Sequence, residues 1–102
     1  MNVIIDLGHN PAHLDLVEPD VFDRFAVVVT GPSDSVRFQA AVSRIGLAHG
    51  SDHVYVEPDA VKALAGERAS DPQWLEQFDG MVDYARSKGW SDADGGIRAH
   101  LA

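Results

Sequence analysis

The sequence contains no cysteine. That excludes a disulfide framework, a thiolate nucleophile, an iron–sulfur cluster and any cysteine-ligated zinc, and it agrees with a reducing compartment. Basic residues are also few: eight Lys and Arg stand against 16 Asp and Glu, for a formal net charge of −8. They are scattered along the chain, with no basic stripe and no interleaved aromatics, so binding to a phosphate backbone lacks the clustered cations it needs. No nucleic-acid partner is expected, and the acidic surface serves solubility. Long apolar runs are missing as well. The longest, at 3–5 and 25–29, fall far short of the roughly 20 residues that cross a bilayer. The opening Met1-Asn2-Val3-Ile4-Ile5-Asp6 has neither the basic start nor the apolar length of a secretion signal. The expectations are therefore no membrane partner and a cytoplasmic location. Arg in excess over Lys, with abundant Ala, Asp and Val, suits a bacterium of high genomic GC.

What is present is enough for one core. A chain of 102 residues with 45% hydrophobic side chains fits a single domain, 1–102, that buries roughly two-thirds of its unfolded surface and folds without staples.

Hydrophobic patterning predicts an α+β domain with a sheet of about 3–4 strands. Val3-Ile4-Ile5 suggests a strand near 2–6. Residues 9–24 hint at a turn of helix at Leu14, Leu16 and Val17. A short second helix could start at Glu18-Pro19, with Val21, Phe22 and Phe25 inward. Val27-Val28-Val29, apolar on both faces, predicts a central, covered strand near 25–30. Ser33 or Asp34 then caps a helix near 33–45, with Phe38, Ala41, Val42 and Ile45 on one buried face and Gly46 as terminator. Residues 47–52 form a loop. His53-Val54-Tyr55-Val56-Glu57 alternates as a strand near 53–57, which a right-handed crossover joins to 25–30 if the two are parallel neighbours. A short helix follows near 59–65.

The strongest local signal is a helix near 71–88. Ser70 or Asp71 caps it, Pro72 fits its first turn and Gly89 ends it. Trp74, Phe78, Met81 and Ala85 make one stripe, widened by Leu75 and Val82. Phe78 and Val82 should be buried, Asp79 and Asp83 exposed. Residues 97–101 could close the chain as a strand, with the first and last strands at the sheet's edges.

Five histidines are present, and four form two identical spacings. His9 and His13, and His49 and His53, each read His-x-x-x-His. On a helix that spacing presents two imidazoles to one metal, but Pro11 and Gly50 interrupt both segments. Neither first histidine is followed by the glutamate of a metalloprotease. No cofactor or metal is expected. The metal alternative uses His9, His13, His49 and His53 with Asp6, Asp15 or Asp52. Asp6 beside His9 is the candidate acid–base pair, with His13 as a further catalytic candidate; the structural alternative is a turn aspartate holding backbone amides. Asp92-Ala93-Asp94-Gly95-Gly96 resembles the middle of an EF-hand loop but lacks its first and twelfth ligands, so an Asp-Gly turn explains it. The segment 30–35 joins a strand to a helix N-terminus without the pattern of a phosphate loop, and reads as a cap.

Two functions remain. The leading one is a non-catalytic binding or accessory protein that works as a homo-oligomer or beside a larger protein partner, with His49, His53 and Trp90 as binding candidates. The rival is a small His/Asp enzyme or metal-binding protein. Convergence of Asp6, His9, His13 and His49 on one pocket would favour the rival. Dispersed histidines beside an apolar patch of about 400 Å² would favour partner binding.

Overall fold

A computed structural model describes residues 1–50 and 52–102. In chain order the elements are β1 (Asn2–Asp6), β2 (His13–Val17), β3 (Ala26–Thr30), α1 (Ser35–Val42), β4 (Gly46–His49), β5 (His53–Val56), α2 (Pro58–Ala65), a 3-10 turn (Gly66–Ser70), α3 (Pro72–Ser87) and β6 (Ile97–Leu101). Among the described residues the strands form one mixed sheet in the order β2-β1-β3-β6-β5-β4. The pairs β1–β3 and β3–β6 are parallel, and β1–β2, β5–β6 and β4–β5 are antiparallel.

The α+β class is as the patterning predicts, but the sheet has six strands where 3–4 are expected. The two unexpected strands are its edges. His13-Leu14-Asp15-Leu16 does alternate, and in place of a helical turn it pairs along the whole of β1. Gly46–His49 has no β-branched residue and would not hold as an isolated strand; its ladder with β5 fixes it. The chain's first and last strands are therefore interior, each hydrogen-bonded on both sides. Residues 18–25 run as turns and bends instead of a short helix, although Phe22 and Phe25 still pack against the core. No crossover joins β3 directly to a parallel β5, because β6 lies between them.

Strand periodicity places Val3, Ile5, Leu16, Val27, Val54, Val56, Ile97 and Ala99 on one face of the sheet, and all are buried. The helices bring Ala41, Val42, Val61, Trp74, Phe78, Val82 and Ala85 into the same cluster. Among the described residues all three α-helices thus cover one side, which makes two layers. The reading of β3 as covered on both faces is corrected: Val27 is fully buried, whereas Val28, pointing the other way, is half-buried.

The helix boundaries follow local chemistry. Asp34 caps α1 by accepting from the Arg37 amide at 3.1 Å. That helix ends at Val42, and Ile45 reaches the core from the turn beyond it. Gly46 is not a helix terminator; it opens β4, where a Cβ would lie 1.8 Å from the Tyr55 carbonyl oxygen. Asp71 caps α3 through the Gln73 amide at 2.9 Å, with Pro72 in the first turn. Phe78 and Val82 are buried and Asp79 and Asp83 exposed. Trp74 stacks on Phe78 at 5.0 Å between ring centroids, and its indole N–H donates to the Pro19 carbonyl at 2.9 Å. Among the described residues no helix is long and apolar enough to cross a membrane.

Candidate functional site

With the helices on one side, the other side of the sheet is a broad uncovered face. It carries every second residue of the strands. Ile4, Val28, Ala26 and Val17 lie towards its middle and β2 side, and none is fully buried. Asp6 and Asp15 stand on β1 and β2. His49, His53, His100, Tyr55 and Arg98 stand on β4, β5 and β6.

The strand register brings three histidines into one row. His49 pairs with His53, and His53 with His100. The His53 and His100 rings meet edge to face at 6.1 Å, and His49 meets Tyr55 at 5.4 Å. His100 is a member that sequence spacing does not reveal. The alternation of Ile97, Ala99 and Leu101 does put Arg98 and His100 on the opposite face, but its neighbours are set by strand order. Ser51, inside the second His-x-x-x-His segment, lies outside the described residues.

The first histidine pair is elsewhere. Asp6 ends β1, and its carboxylate accepts from the Gly8 amide at 2.8 Å while lying 3.5 Å from His9 Nε2. The turn-aspartate alternative describes this bond. His9 and His13 are 5.8 Å apart between centroids. The loop between them is tied to α1: Arg37 donates to the His9 carbonyl, and Arg44 to the Ala12 carbonyl at 2.8 Å. The hollow beside it is lined by Asn10, Pro11, Ala12, Arg37, Ala41 and Arg44, and by neither histidine.

Asp6, His9 and His13 therefore come together, and so do His49 and His53, but the two groups do not converge. His13 and His49 lie on opposite edge strands, about 24 Å apart at the usual strand spacing. Among the described residues no group of three or more His, Asp or Glu is placed to hold a metal ion. Asp92 accepts from the amides of Asp94 at 3.1 Å and Gly96 at 2.7 Å, an Asx turn that occupies the EF-hand-like segment.

Trp90 lies in a third place. Its ring meets Tyr84 edge to face at 6.0 Å and carries the Arg98 guanidinium 5.5 Å from its centroid. It forms one wall of a cleft between α3 and the segment leading into β3. No protein-family model, curated protein or solved structure matches this chain.

Proposed function

We propose that this chain is a non-catalytic binding protein that pairs with a second copy of itself through the uncovered face of its sheet. The observation that carries this reading is the one-sided helix layer, which leaves half-buried Ile4, Val17, Ala26 and Val28 without a cover.

Charge arrangement favours a second copy as the occupant. Asp6 and Asp15 lie on one half of the face, and Arg98 with the His49–His53–His100 row on the other. The register sets Asp6 and Asp15 further along the strands than the histidine row, so a two-fold axis inclined to the strands is needed to lay the acidic half over the other half, an isologous contact. Six strands of about five residues present about 400 Å² in projection, against about 800 Å² per partner in a standard stable interface. The dimer is accordingly a weak, reversible one.

Sedimentation velocity across a concentration series tests this. Salt separates two explanations: it weakens pairing of opposite charges and strengthens association limited only by the net charge of −8. Val28→Asp, which buries a lone carboxylate in the middle of the contact, should weaken association about tenfold or more. A chain that stays monomeric at millimolar concentration, or a dimer unaffected by Val28→Asp, overturns the reading.

The Asp6–His9 pair gives the rival, catalytic reading less support. Asp6 is already engaged by a backbone amide, and the His9 side chain is 67% exposed, so no water-excluded site surrounds the pair.

A further inference from the structure

The cleft beside Trp90 has a volume of about 520 Å³, within the usual range for small-molecule sites. Four aromatic side chains line it: Phe22 and Phe25 from the segment leading into β3, Tyr84 from α3 and Trp90 from beyond the end of that helix. Tyr84 is 56% and Trp90 37% exposed, two of the most exposed large apolar side chains in the molecule.

Gly80 is a second and independent sign. It sits inside α3 and lines this cleft. Glycine in a helix interior is less favourable than alanine by about 0.5–1 kcal/mol, and close packing usually explains its presence. Here a Cβ would meet nothing within 4 Å. Gly80 leaves space in the cleft instead of admitting a neighbouring side chain.

The cleft is also cationic within a strongly acidic protein. Arg24 and Arg98 both line it, and among the described residues neither is ion-paired. Its lining includes one carboxylate, Asp23.

We infer that this cleft binds a small planar aromatic carboxylate, its ring among Phe22, Phe25, Tyr84 and Trp90 and its anion towards Arg24 and Arg98. Flat aromatic surfaces favour a flat apolar body through offset or edge contacts, and guanidinium favours a planar carboxylate.

The test is a titration of the full chain with 2-naphthoate and its neutral counterpart 2-naphthamide, followed by backbone amide NMR shifts. Naphthoate should saturate, with the largest shifts at residues 22–25, 80–85 and 90. The amide should bind about two- to fivefold more weakly, as partly exposed charge pairs give. Gly80→Leu fills the space while improving helix propensity, so it should cut affinity at least tenfold with the melting temperature kept or raised. Should that variant fold poorly, Tyr84→Ala, which removes an exposed ring, must still weaken binding severalfold. Arg24→Gln should abolish most of the preference for the carboxylate. No saturable shift, shifts centred elsewhere, or affinity untouched by both Gly80→Leu and Tyr84→Ala overturns the site. Equal binding of acid and amide overturns its charge selectivity.

Discussion

Truncating Phe78 to alanine removes the ring that most fully joins α3 to the sheet. Phe78 is 0% exposed. It stacks on Trp74 with planes 6° apart, and the Lys62 ammonium lies 5.9 Å from its centroid. Core Phe→Ala substitutions cost about 3–5 kcal/mol, combining lost transfer energy with the cavity left behind. The lost stack contributes about 0.5–1.5 kcal/mol of that. Domains of this size have about 5–15 kcal/mol in total, so the variant keeps a small margin. At about 4–8 °C per kcal/mol, the melting temperature should fall by about 12 °C or more. Urea unfolding followed by far-ultraviolet circular dichroism measures the loss. Phe78→Leu, closer in volume, should lose markedly less. Val36→Ala, at a residue 78% exposed, should stay within about 0.5 kcal/mol of the parent. A Phe78→Ala loss below about 1 kcal/mol, or one no larger than that of Val36→Ala, would refute the assignment of α3 as the cover of the sheet.

Gly46→Ala should destabilise by about 1–3 kcal/mol, because its Cβ would collide with the Tyr55 carbonyl; amide exchange should show the β4–β5 pairing opening first, and unchanged protection there would count against the close approach. Asp71→Ala should cost about 1 kcal/mol of stability by removing the cap of α3, read in the same urea assay, whereas Asp71→Asn should restore most of it. Burial pushes the Met1 ammonium below its ordinary pKa of 8.0, with Glu18 and Asp23 opposing and Arg24 assisting. The unfolded chain then holds this proton more tightly than the folded one, so stability rises with pH through the folded value and levels off above 8. The free chain should therefore gain urea resistance between pH 6 and pH 8.5 relative to an N-terminally acetylated chain; parallel curves for the two would contradict the partial burial of this amine.

A one-sided helix layer and an aromatic cleft give the molecule two binding surfaces that meet at Arg98. Val28 lies on the sheet face, and Gly80 on α3. Val28→Asp is accordingly expected to leave naphthoate binding intact, and Gly80→Leu to leave self-association intact. Cross-effects in both directions would mean that the two sites are coupled.

The sequence by itself determined the features governed by neighbours along the chain. α3 was legible because cap, proline, apolar stripe and terminating glycine all act within one helix. The same holds for the Asp34 cap and the Asp92 turn, whose bonds span four residues or fewer. Tertiary structure decided what depends on pairing between distant segments. β4 exists because β5 supplies its hydrogen bonds, and β6 separates β3 from β5 because the last strand inserts between them. The histidines illustrate the division most clearly. Repeated His-x-x-x-His spacing suggested two equivalent pairs, but strand order puts them at opposite sides of the sheet and joins His49 and His53 to His100. Hydrophobic alternation marks which side of a strand is apolar; only the placement of the helices determines which side of the sheet is covered.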